Sequence, residues 1–139
     1  MQSSNQSETV ALAVVKNDDG KVLIVQRARA ERGSDDSRLL WAFPGGKPDD
    51  DETLEDAVVR EVLSETGYKV KVVSEITNRL HPQINIKLHY FNCVLETPLT
   101  KPIQEVDEIA SVKWVEPNQL LNYFTTDLDR NVAKFLELA

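Results

Sequence analysis

Glu61 and Glu65 stand one helical turn apart in the stretch Arg60-Glu61-Val62-Leu63-Ser64-Glu65-Thr66-Gly67-Tyr68. Residues three and four apart on a helix share a face, so Glu61, Ser64 and Glu65 project together, and small Ala57 one turn earlier leaves room beside them. Packed carboxylates repel one another and are held together when a proton or a cation sits between them. An all-oxygen donor set favours a hard ion such as Mg²⁺ or Mn²⁺. Just upstream, Phe43-Pro44-Gly45-Gly46-Lys47 places two glycines where backbone approaches a ligand or metal without a Cβ in the way. Lys47 then has the reach for a phosphate. Acids at i and i+4 also describe many solvated helix faces, so the spacing of the whole set is what separates this one from the ordinary case.

The elements that must position these groups are legible from periodicity. Leu54, Val58 and Val62 form one apolar stripe and Ala57, Glu61 and Glu65 a second, which predicts an amphipathic helix over about 53–66. Thr53 is its N-cap, with Asp56 as a capping-box-like partner, and Gly67 is its stop. Ahead of it, β-rich runs at 9–16 and 21–27 flank Asn17-Asp18-Asp19-Gly20 and predict a hairpin. Residues 28–40 are polar and arginine-rich and read as a surface loop. Further strands are predicted at 68–73, 75–80, 84–95 and 110–115, a short helical turn at 117–121, and a closing helix within 127–138. Interspersed strands and helices indicate an α/β (α+β) architecture, a mixed sheet flanked by helices.

At 139 residues the chain matches one domain, for which about 100 to 150 residues is common. Residues 1–8 read as a loose tail and 9–139 as the domain. A hydrophobic fraction of 41% with 28% charged residues is that of a soluble globular protein with a real core. The longest apolar runs fall far short of the roughly 20 residues of a membrane span, and no leader precedes them, so a cytoplasmic location is expected. The single cysteine, Cys93, forms no intrachain disulfide and reads as a buried strand thiol. A net charge of −7 disfavours polyanionic partners such as nucleic-acid polymers or anionic membranes. An anionic small ligand therefore needs local cations, from basic side chains, metal ions or both.

Gly46, Glu52, Arg60, Glu61, Val62, Glu65, Gly67 and Tyr68 occupy eight of the nine specified positions of the pattern G-x5-E-x7-R-E-U-x-E-E-x-G-U, with U apolar or aromatic. The pattern resembles the Nudix box, and the chain is identified on it as a member of that family. The resemblance implies a Nudix-like α/β/α sandwich and Mg²⁺-dependent hydrolysis of a nucleoside diphosphate linked to a further group. It implies that Glu61 and Glu65 are metal ligands, that the Gly46 backbone lies at the metal, and that Glu52 and Arg60 brace the loop against the helix. The departure is Ser64, which stands where the pattern has the first of two adjacent glutamates, normally a metal ligand; its hydroxyl can still hold a water. A weakened but active enzyme is the favoured reading, with a nucleotide-binding or sensing domain, or a variant residue at this position, as the alternatives.

Family members often supply a late glutamate, and Glu108 fits by its distance from Trp114. Bottom-up chemistry agrees, because water attacks a pyrophosphate once cations neutralise its oxygens and a carboxylate accepts the proton. For substrate binding, Arg27, which ends a strand, is the leading candidate among Arg27, Arg29, Arg32 and Arg38. Lys47, Phe43 and Arg79 are further candidates, as are His81, Asp127, Asp129 and Asn131, while aromatics beside a glycine turn, Trp41 and Phe43, also suit the core. His89 reads as a packed strand residue, and two scattered histidines make no zinc site. The expected activity is cleavage of a nucleoside triphosphate or related nucleotide to a monophosphate by a monomer or homodimer. ADP-ribose, a nucleotide sugar or a dinucleotide is the alternative substrate.

Overall fold

A computed structural model of the chain describes residues 8–27, 40–81, 85–96, 109–124 and 128–138, the side chains of 27, 40, 109 and 110 excepted. Its centre is β1 (Glu8–Lys16), whose near-continuous apolar run is explained by burial on both faces. Val14, with Val10 and Leu12 packed alongside, faces one core, and Ala11, Ala13 and Val15 face the other. Asn17-Asp18-Asp19-Gly20 turns the chain into β2 (Val22–Arg27) as expected: the Asn17 side chain accepts from the N–H groups of Asp19 and Lys21, and Gly20 adopts φ 79°. The remaining strands are β3 (Leu40–Ala42), β4 (Gly45–Gly46), β5 (Val70–Leu80), β6 (Ile86–Leu95) and β7 (Ile109–Val115).

These make one mixed sheet ordered β3-β2-β1-β6-β5, with β7 on β2 and β4 on β1. β1 and β6 run parallel in register from Glu8↔Ile86 to Lys16↔Val94, and the other pairings are antiparallel. β1 gives one edge to β6 and divides the other: β2 pairs with it at Lys16, and β4 pairs at Ala11 and Leu12. That division draws the glycine pair into the sheet beside the helix.

The helix α1 (Leu54–Thr66) covers one face and ends as its caps dictate. Thr53 Oγ1 accepts from the Asp56 N–H at 3.0 Å, and Gly67 takes the left-handed conformation at φ 81° while its N–H bonds to the Leu63 carbonyl. Val58 and Val62 are fully buried against Ala13, Val15 and Phe91, each contributing roughly 1.5–3 kcal/mol by the usual measure of apolar burial. The opposite face carries α2 (Leu120–Tyr123), which follows a 3₁₀ turn at Pro117–Gln119, and α3 (Arg130–Phe135), packed on Val14, Ile24 and Tyr90. The result is the expected mixed sheet flanked by helices, an α+β fold.

Three expectations are corrected. The predicted strands at 68–73 and 75–80 are one strand, β5, carrying register shifts at Val72/Ser74 and Glu75/Thr77; the irregularities broke its periodicity in the sequence. The closing helix is only Arg130–Phe135, because Asp129 caps it at the start and Leu136 leaves helical geometry. Leu40 belongs to β3 rather than to the preceding loop, and residues 28–39 lie outside the described set. Cys93 is buried as expected, and burial pushes its thiol up to about 12. Among the described residues no helix is long and apolar enough to cross a membrane.

Candidate functional site

Two consecutive glycines meet two consecutive turns of α1. The Gly45 N–H donates to Glu65 Oε1 at 3.0 Å, and Glu65 is only 2% exposed. Gly46 lies under Glu61: a Cβ built on it falls 2.5 Å from Glu61 Oε2. Gly45 is itself held at φ 151° with its missing Cβ 2.1 Å from the Ala11 carbonyl oxygen, so only glycine fits. The Pro44 carbonyl, accepting from the Ala13 N–H at 2.8 Å, secures the approach. The β4–β1 pairing together with the helical repeat brings Glu61, Glu65 and the Gly46 backbone side by side.

Arg60 organises the outer side. Its Nε donates to Glu52 Oε2 at 2.8 Å and one Nη to Glu52 Oε1 at 2.9 Å, a two-pronged pair, while the same Nη reaches the Lys47 carbonyl at 3.2 Å. The other Nη lies 3.3 Å from Glu61 Oε2. Glu52 also accepts from the Asp49 N–H at 2.9 Å. The Arg60 hydrogen bonds, with help from the Asp49 N–H, hold the Glu52 carboxyl down to about 2, and the same partnership raises Arg60 further. One guanidinium thus ties the 47–53 loop to α1 and lies against Glu61.

Glu61 and Glu65 offer oxygen donors, and the space over Gly46 is a cradle that any Cβ would fill. This fits a hard divalent cation that keeps several of its own waters. Among the described residues no group of three or more His, Cys, Asp or Glu side chains stands ready to hold a metal. Ser64 is half-buried on α1 and adds no carboxylate. Glu108 lies outside the described residues, as do Arg29, Arg32, Arg38 and Asp127. An open depression of about 410 Å³ lined by Asp49, Asp50, Asp51, Glu52 and Asp56 has the wrong sign for a polyphosphate.

The remaining candidates are dispersed. The backbone of Arg27 ends β2 opposite Leu40 and Ile109, and the reading of its side chain falls outside what is described. Lys47 Nζ pairs with Glu8 at 3.1 Å, both side chains well exposed, so the pair is weak and Lys47 is easily recruited elsewhere. Phe43 is 4% exposed, with edge-to-face contacts to Tyr90 and Phe124, which makes it a core residue rather than a platform for a base. Trp41 packs edge-on against Tyr123 in the same core.

Arg79 faces the α3 side. Its Nε lies 3.3 Å from Asp129 Oδ2 without hydrogen-bond alignment, and an Nη donates to the Tyr90 hydroxyl at 3.3 Å. Asp129 is 6% exposed and caps α3 by accepting from the Asn131 and Val132 N–H groups at 2.7 and 3.0 Å. Asn131 Nδ2 donates to Thr77 Oγ1 at 3.1 Å. These side chains fasten α3 to β5. The His81 N–H bonds to the Ile86 carbonyl at 2.7 Å.

This glycine-strand and acidic-helix arrangement agrees with what comparison finds: the NUDIX domain model matches residues 7–138, and the chain belongs to the Nudix family. A putative 8-oxo-dGTP diphosphatase of Bacillus subtilis (strain 168) is 29% identical over 125 residues, covering 90% of this chain and 77% of that protein. The CTP pyrophosphohydrolase of Escherichia coli (strain K12) is 29% identical over 121 residues, covering 82% and 79% respectively. Among solved structures, a NUDIX hydrolase from Nitrosomonas europaea superposes with a TM-score of 0.77 at 20% identity over 95% of this chain and 71% of that one, a likeness of fold.

Proposed function

We propose that the chain is a single-domain, divalent-cation-dependent pyrophosphohydrolase acting on the diphosphate linkage of a nucleoside triphosphate and releasing the monophosphate. The observation that carries this reading is the pairing of Gly46 with Glu61 and of Gly45 with Glu65, a cleared backbone surface beside two oxygen donors. The names of the B. subtilis and E. coli relatives, which refer to 8-oxo-dGTP and CTP, support a triphosphate over ADP-ribose or a nucleotide sugar.

In this reading Glu61 and Glu65 hold Mg²⁺ or Mn²⁺, with the Gly46 carbonyl, the Ser64 hydroxyl and Glu108 as further oxygen donors. The bound ion supplies neutralisation of the diphosphate oxygens and acidifies water. The chain's own residues do the rest. Arg60 keeps Glu61 aimed along the glycine strand, Glu52 keeps Arg60 in place, and the Gly45 N–H fixes the depth of Glu65. Glu61, more exposed than Glu65, is the carboxylate suited to taking the proton of the attacking water if Glu108 does not. Lys47 and Arg27 neutralise the phosphate tail. Arg79 stays a proposed phosphate contact, and Phe43, buried against Tyr90 and Phe124, serves the core.

Purified chain is incubated with a panel of nucleoside triphosphates, ADP-ribose and nucleotide sugars in Mg²⁺ and in Mn²⁺, with pyrophosphate and phosphate release measured beside a Glu65→Gln control. Pyrophosphate release from one or more triphosphates, abolished by EDTA, supports the enzyme. Tight nucleotide binding without release supports the sensing domain instead.

A further inference from the structure

Glu8, the first residue of β1, points its carboxylate at the cation that follows the glycine pair: Glu8 Oε2 lies 3.1 Å from Lys47 Nζ. Three observations tie that cation to the acidic helix. Lys47 follows Gly46 directly, so its Cα stands about 3.8 Å from that of the glycine lying under Glu61. Its carbonyl accepts from one Arg60 Nη at 3.2 Å, and the other Nη of the same guanidinium is 3.3 Å from Glu61 Oε2. The β1–β4 ladder is antiparallel, Leu12↔Gly45 and then Ala11↔Gly46, so the chain leaving Gly46 heads for the Glu8 end of β1. One guanidinium therefore separates the Lys47 backbone from Glu61, while the Lys47 ammonium is engaged by Glu8.

The two cations beside the glycine strand are held very differently. Arg60 is committed to Glu52 through bonds of 2.8 and 2.9 Å, and Glu52 is itself anchored by the Asp49 N–H. Lys47 has only a loose partner, the side chains of Lys47 and Glu8 being 60% and 57% exposed. An exposed pair of this kind shifts an equilibrium by no more than about 5-fold. A phosphate chain carries several negative charges and attracts an ammonium more strongly than one carboxylate does. Nor does β1 need this side chain to hold its start, because the backbone pairing with β6 already begins at Glu8↔Ile86.

We infer that Glu8 is a resident competitor for Lys47, a carboxylate that the substrate's phosphate chain displaces, and so a residue that sets substrate affinity. The inference rests on the pyrophosphohydrolase reading, in which Lys47 neutralises the phosphate tail, and names the group that Lys47 leaves in doing so. Binding exchanges the Glu8–Lys47 pair for a phosphate–Lys47 pair and releases Glu8 to water. Salt screens exposed charges, so the competition is strongest at low ionic strength.

The test measures KM and kcat for the triphosphate found by turnover, at low ionic strength and saturating Mg²⁺. The proteins are wild type, Glu8→Gln, Lys47→Gln, the Glu8→Gln/Lys47→Gln double variant, and Asp18→Asn, which removes one negative charge from the exposed hairpin turn. Glu8→Gln is expected to lower KM by about 2- to 5-fold with kcat within about 2-fold. In the Lys47→Gln background the same change should lower KM by less than about 1.5-fold, as should Asp18→Asn in the wild type, and added salt should erase the gain. An unchanged or raised KM in Glu8→Gln, or an equal fall with and without Lys47, would overturn the inference. Should wild type turn over nothing, the pyrophosphohydrolase reading fails, and calorimetry with inorganic triphosphate and Mg²⁺ on the same variants still decides the role of Glu8. Tighter binding by Glu8→Gln than by wild type, lost when Lys47 is replaced, sustains it, and equal or absent binding overturns it.

Discussion

The N–H of Gly45 donates to the carboxylate of Glu65 across twenty residues of sequence, at 3.0 Å and out of reach of solvent. A buried carboxylate is costly unless hydrogen-bonded, so this contact fixes the glycine strand against α1 at one register. The next glycine then necessarily lies one helical turn back, under Glu61. The two glycines carry different loads as a result.

Gly45→Ala places a methyl 2.1 Å from backbone at a positive φ, whereas Gly46→Ala meets only the end of the Glu61 side chain. Gly45→Ala is expected to destabilise the fold by about 3 kcal/mol, read as a lowered urea midpoint. Gly46→Ala should remain folded and lose turnover at least about 10-fold, because Glu61 must swing away.

Glu52 titrates from about 2 in the folded chain against a reference value of 4.5, chiefly because Arg60 donates to it. A depressed carboxyl contributes stability that is complete above the unfolded value and is lost as pH falls through the folded one. Stability of the wild type should therefore decline between about pH 5 and pH 2 more steeply than that of Glu52→Gln. Thermal melts at half-unit pH intervals measure the difference.

Asp129 caps α3 and pairs with Arg79. Asp129→Ala removes the cap, worth about 1 kcal/mol, together with the ion pair to Arg79, for a combined loss above that figure by chemical denaturation. Asp129→Ser, which restores a capping oxygen, should recover the cap's share.

Ser64 is the one position where the acidic helix departs from the full pattern. If it is a missing carboxylate that limits cation binding, Ser64→Glu raises kcat/KM at least about 10-fold at low Mg²⁺ and less at high Mg²⁺. Steady-state rates across an Mg²⁺ titration check this.

What was legible in the sequence was whatever repeats locally. The stripe of Leu54, Val58 and Val62, the Thr53 cap and Gly67 gave α1 almost to the residue, and its second stripe gave the glutamate pair. The Asn17–Gly20 turn gave the hairpin. The rest depended on pairings between distant segments. A two-residue strand at Gly45–Gly46 has no periodicity to read, and Phe43 beside it looks the same whether it faces a base or Tyr90. The pairing of Arg79 with Asp129, fifty residues on, is invisible until α3 is docked. His89, read as a packed strand residue, lies in β6 against Phe91, and its contact with Glu75 depends on a register shift that leaves no signature in the residue types.

The account depends most on Glu61 as a cation-holding group over Gly46. The direct measurement is Mn²⁺ binding by titration calorimetry, in the presence of a slowly hydrolysed triphosphate analogue, for wild type and Glu61→Gln with equal thermal stability. The account predicts binding by the wild type and at least about 10-fold weaker binding by Glu61→Gln. Indistinguishable isotherms for the two proteins, or no uptake by either, would contradict it.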